Sequence, residues 1–110
     1  MLFSASGSAS ISATLDGITT EDNGGAGVEA KSTDGLGVDV SIESSTSANN
    51  AVGILSGLGS TINLSNVTVF GNETGLSGST GLGGNIVSFG NNRVTGNGLN
   101  GSPTNRANLE

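Results

Sequence analysis

The sequence predicts an all-β solenoid, a parallel β-helix of about four stacked coils forming one domain, and three observations carry that prediction. A small set of features recurs in fixed order about every two dozen residues. The apolar residues sit in short runs that alternate with polar ones at a period of two, as in a strand with one buried and one wet face. Between the runs lie Gly, Asn and Ser, while proline occurs only once, at Pro103, so almost every backbone amide is free to join a ladder.

The recurrence is visible in the tripeptide Gly-Leu-Gly, at Gly35-Leu36-Gly37, Gly57-Leu58-Gly59 and Gly81-Leu82-Gly83. A β-rich run follows each copy: Val38-Asp39-Val40-Ser41-Ile42, Ser60-Thr61-Ile62-Asn63-Leu64 and Ile86-Val87-Ser88-Phe89. A glycine with an apolar neighbour precedes each, at Gly27-Val28, Gly53-Ile54 and Gly75-Leu76, and an Asn-bearing turn recurs at Asn23, Asn50, Asn72 and Asn97. An earlier run, Ala9 to Leu15, alternates Ala9, Ile11, Ala13 and Leu15 with Ser and Thr, which adds a coil at the start. A leucine-rich repeat has a similar period, but it needs a dense leucine framework and usually a helix, and no segment here keeps a helical period.

Strands this short cannot enclose a core alone, so neighbouring coils must stack about 4.8 Å apart. Three inward ladders are expected: Val28, Ile54 and Leu76; Leu36, Leu58 and Leu82; and Val40 or Ile42 with Ile62 or Leu64 and Ile86 or Phe89. The turn asparagines tolerate left-handed backbone and can bond to one another along the stack. Gly, Ser, Thr and Asn together make up 61 of 110 residues. That mixture often marks disorder, but here the aliphatic residues at regular intervals argue for a folded chain. One domain spans 1–110, with an end segment over 1–7, coils over 8–104 and a tail over 105–110. Met1 reads as an added start and Leu109-Glu110 as a cloning remnant, which suggests a truncated or minimised piece.

The stretch Gly84-Asn85-Ile86-Val87-Ser88-Phe89-Gly90-Asn91-Asn92-Arg93-Val94-Thr95-Gly96-Asn97, followed by Asn100-Gly101-Ser102-Pro103-Thr104, resembles the closing coil of small bacterial right-handed parallel β-helix repeat proteins of the pectin-lyase-like group. Asn66-Val67-Thr68-Val69-Phe70-Gly71-Asn72 and Thr74-Gly75-Leu76-Ser77 fit the coil pattern of the same group. The resemblance implies a right-handed parallel β-helix and a secreted or cell-surface setting. Enzymes of that architecture cleave polysaccharides, using clustered carboxylates for calcium or acid catalysis, so such clusters should recur at equivalent positions of adjacent coils.

The outward positions are poor in such chemistry. Glu29, Leu55 and Ser77 form one expected outward row and Asp39, Asn63 and Val87 another. The best acidic pair is Asp16 with Glu43, with Val67 expected at the third level. Lys31 lies two residues from Glu29, which predicts a same-face ion pair. Arg93 is the candidate base by type, but its place in the closing coil predicts a structural arginine covering the open end. Histidine and cysteine are absent, so the usual general base and the thiolate metal sites are missing.

These features lead to an expectation of no catalytic, cofactor-binding or metal-binding residues, and of no cofactor. The net charge of −6 with three basic residues argues against nucleic acid, and no apolar run is long enough to span a membrane. The expected function is a non-enzymatic scaffold or interaction domain. The alternative is a carbohydrate-binding or polysaccharide-cleaving module whose active coils are missing or incomplete. Open ends of a short solenoid expose unpaired amides, which predicts end-to-end self-association as a homodimer.

Overall fold

In the computed structural model, residues 1–6, 9–33, 37–79 and 84–107 are described. Among them there is no helix; thirteen strands stack in parallel as a β-solenoid of about three turns. The strands are β1 (Leu2–Ala5), β2 (Ile11–Asp16), β3 (Thr19–Glu21), β4 (Ala26–Ser32), β5 (Val38–Glu43), β6 (Thr46–Ala48), β7 (Val52–Ser56), β8 (Ser60–Ser65), β9 (Thr68–Phe70), β10 (Thr74–Gly78), β11 (Asn85–Ser88), β12 (Arg93–Thr95) and β13 (Asn105–Arg106). From β1 to β12 every third strand falls on the same side, and β13 joins β11, giving three sheets: sheet A of β1-β4-β7-β10, sheet B of β13-β11-β8-β5-β2, and sheet C of β12-β9-β6-β3. Two strands lie outside the span 8–104 expected for the coils: β1 pairs with β4, and β13 pairs with β11.

The period-two runs become strands for the expected reason. In β5 Val38, Val40 and Ile42 are buried while Asp39 and Glu43 are exposed. In β8 Ser60, Ile62 and Leu64 are buried. Along sheet A, Val28 pairs with Ile54 and Ile54 with Leu76, so the first expected ladder is present. The third resolves into two. One runs Ala13–Val40–Ile62–Ile86, and the other runs Leu15–Ile42–Leu64–Ser88. Phe89 lies beyond β11 and is half-buried. Ala9 lies outside β2 and is exposed.

The Gly-Leu-Gly ladder is the main correction. Leu36 and Leu82 lie outside the described residues, and Leu58 is 37% exposed. It occupies a tight turn between β7 and β8, closed by Ser60 N donating to Gly57 O at 3.2 Å, with Gly59 at φ +65°. Serine fills the corner beneath. Ser56 and Ser60 are buried with their hydroxyls 2.8 Å apart, and Ser60 Oγ donates to Ala30 O of the preceding level. Where a turn must carry the chain between two sheets in three residues, short side chains that satisfy backbone carbonyls replace the aliphatic rung.

Candidate functional site

The turn between sheets C and A carries a polar side chain that recurs at every level among the described residues. Asn23, Asn50, Asn72 and Asn97 stack there, one per level, and the side chains of Asn50, Asn72 and Asn97 reach back one coil. Asn50 Oδ1 accepts from Asn23 N at 3.0 Å, Asn72 Oδ1 from Asn50 N at 2.8 Å, and Asn97 Oδ1 from Asn72 N at 2.9 Å. The amide nitrogens donate to the equivalent carbonyls of the preceding level, from Asn50 to Thr20 O, from Asn72 to Ser47 O and from Asn97 to Val69 O, at 3.1–3.2 Å. Asn50 and Asn72 are buried, so these bonds form in a low-dielectric setting where a lost partner is expensive.

The recurring glycine of the Gly-apolar step belongs to the same device. A Cβ at Gly27 would fall 2.7 Å from Asn50 Nδ2, one at Gly53 2.9 Å from Asn72 Nδ2, and one at Gly75 2.9 Å from Asn97 Nδ2. These glycines are required for room, whereas positive φ is needed elsewhere. It recurs in one column as Asp22, Asn49, Gly71 and Gly96, and in another as Gly17, Ser44, Asn66 and Gly90. Both are corners where the chain leaves one sheet for the next, and residues that tolerate left-handed backbone occupy them.

A second polar corner went unrecognised in the sequence. Ser45 Oγ accepts from Ile18 N at 3.1 Å, and Asn92 Oδ1 accepts from Val67 N at 2.8 Å while its Nδ2 donates to Leu64 O at 2.8 Å. Ser45 and Asn92 do the same task with different side chains, so no repeated letter marks the column.

The outer face of sheet B holds the acidic pair. Asp16 and Glu43 are register partners on β2 and β5, as expected, and both are exposed. The third level is Ser65, because Val67 is buried at the next corner. Asp39 pairs with Thr61 and then Asn85, two residues from the expected register, while Ser41, Asn63 and Val87 form the adjacent row. Asn63 Nδ2 still reaches Asp39 Oδ1, diagonally, at 2.9 Å. The row Glu29, Leu55 and Ser77 is as expected. Lys31 Nζ lies 3.6 Å from Glu29 Oε2. No group of three or more acidic, histidine or cysteine side chains that could hold a metal occurs among the described residues.

Arg93 is exposed on β12, the terminal strand of sheet C, in the outward column of Thr19, Thr46 and Thr68. A second arginine at this end is Arg106, on β13. It borders a cleft of about 300 Å³ between the last coil and the tail, together with Leu76, Ser88, Asn92, Val94 and Pro103. Ser88 and Asn92 are already engaged with each other at 3.0 Å.

No protein-family model, curated protein or solved structure matches the chain. What the chain can do must therefore be argued from its own side chains. Most of its buried polar groups bond to backbone or side chains of an adjacent coil, and the exposed rows combine hydroxyls, amides and carboxylates, with Asp16 and Glu43 side by side.

Proposed function

We propose that the chain is a non-enzymatic structural scaffold or interaction module, a short rigid solenoid whose outer faces present side chains at fixed spacing. The asparagine column carries this reading. The residues that recur most regularly are the ones whose donors and acceptors are spent on the neighbouring coil, which is what repetition selected for rigidity would leave. Right-handed winding, kinship with the pectin-lyase-like β-helices and a secreted or surface setting belong to the same proposal. They rest on the motif running from Gly84 to Thr104.

A second reading, a carbohydrate-binding or polysaccharide-cleaving module, draws on the neighbouring carboxylates of Asp16 and Glu43. Incubation with a panel of acidic and neutral polysaccharides, with and without calcium, separates the two. The scaffold reading expects no unsaturated or reducing-end products and no retention on the glycans. Product formation that disappears in the double variant Asp16→Asn, Glu43→Gln would overturn it.

A further inference from the structure

The two ends of the stack are not alike. At the end nearer the C-terminus the chain folds back over two of its three sheet edges, while β12 pairs only with β9 among the described residues. Gly75 N donates to Leu99 O at 2.7 Å and Leu76 N to Asn100 O at 3.0 Å, which occupies the edge of β10. Thr104 N donates to Ile86 O and Ala107 N to Ser88 O, both at 2.8 Å, which occupies the edge of β11. At the other end, among the described residues, β1 pairs only with β4, β2 only with β5 and β3 only with β6. The inward side chains there, Phe3, Ile11, Ala13, Leu15 and Ile18, pack on the core from one side and are only half-buried.

The polarity of β2 is fixed by its bonds. Ile11 N donates to Gly37 O and Gly17 N to Glu43 O, so the odd-numbered residues of this strand face β5. Ser12 and Thr14 therefore direct their amides and carbonyls at the free edge, where they need a partner. We propose that this partner is the same edge of a second copy, so that two chains join at their β2 ends about a two-fold axis with the β2 strands antiparallel. Of the possible registers, one sets Ser12 opposite Thr14 of the second copy as a hydrogen-bonded pair. The same register sets Ala13 opposite Ala13 on the axis and Ile11 opposite Leu15. All three inward aliphatic residues then meet inward aliphatic residues, and the core runs through the junction. Registers shifted by two place Ile11 or Leu15 out of this match.

Six residues make β2 roughly 20 Å long, so each copy contributes on the order of a few hundred Å², below the ~800 Å² per partner of a standard interface. The dimer is therefore weak and concentration-dependent. It does not rest on the scaffold reading, and a monomer would leave that reading intact.

The test is sedimentation of the 110-residue chain up to about 1 mM, a range suited to so small an interface, with two variants. The expected result is a reversible shift toward twice the monomer mass and nothing larger. Thr14→Pro removes an amide that faces only the free edge, so it should abolish the shift while the β-rich circular dichroism persists. In the native chain, which has no cysteine, Ala13→Cys places two thiols across an antiparallel non-hydrogen-bonded pair, where Cα atoms are about 4.5 Å apart and within disulfide range. Mild oxidation should convert it to a covalent dimer at least tenfold faster than Ser41→Cys on β5. A monomeric mass at about 1 mM overturns the proposal. So does open-ended growth, which signals head-to-tail stacking, or equal cross-linking of the two cysteine variants. If Thr14→Pro does not fold, the cysteine comparison decides.

Discussion

Asn72 shows how much one side chain does in this fold. It accepts from Asn50 N and donates to Ser47 O, Phe70 O and Asn97 Oδ1, at 2.8–3.2 Å, while lying over Gly53. Asn72→Ala orphans the buried amide of Asn50 and two carbonyls, and should cost roughly 2–4 kcal/mol in a urea melt. The opposite sign is expected at Ser32. Its hydroxyl is buried without a hydrogen-bond partner, and its register neighbour in the preceding coil is Ala5. Ser32→Ala removes a desolvated hydroxyl from a position already compatible with alanine, so the midpoint should rise by about 1 kcal/mol equivalent. The asparagines were legible because the same side chain is needed at each level. Asn92 was not, because its column also tolerates serine.

At the scale of strands, the alternation of apolar and polar residues located the β-runs, and the inward residues of β5, β8 and β11 follow it. Register was less legible. Asp39 pairs with Thr61 at an offset of 22, whereas Asp16 pairs with Glu43 at 27. Gly-Leu-Gly carries the register of the strands beyond it, since its leucines stand 22 and 24 residues apart, as do Asp39–Thr61 and Thr61–Asn85. The tripeptide misleads about burial instead, because Leu58 lies in the turn between β7 and β8 and not on a strand whose alternation would turn it inward. The register found has an electrostatic consequence. Asp16 and Glu43 are like charges on adjacent strands with no cation beside them in register. Glu43→Gln should raise stability by a few tenths of a kcal/mol at low ionic strength. The gain should fade in about 1 M salt, which screens exposed charges beyond ~3 Å.

For the molecule as a whole, the parallel solenoid could be read from recurrence and alternation, because both follow from one physical need: short amphipathic strands must bury their faces on neighbours. Function was less legible, since the polar residues that dominate the composition are the same types that build the turns. Only the bonds they make tell a structural asparagine from an available one. Strand partners lie 18–27 residues apart, a mean separation roughly a fifth of the chain. Contacts that non-local place folding in the millisecond-to-second range, which stopped-flow mixing would measure.

The asparagine column has a direction. From Asn50 onward each side-chain oxygen serves the amide of the coil before it, so the newest level leaves an amide waiting for the next. At Asn97 the chain supplies its own answer three residues later, where Asn100 Oδ1 accepts from Asn97 N at 3.2 Å and from its Nδ2 at 3.0 Å. A terminator of this kind works at whatever level it is placed, so nothing in the column sets the number of levels. Duplicating residues 50–71 in tandem should add one complete level that fits both its neighbours, since Asn50 and Asn72 already stand one coil apart. The lengthened chain should melt above the parent, as nearest-neighbour stacking requires. Length in this protein is a modular quantity, set by how many times a unit is written before the stop.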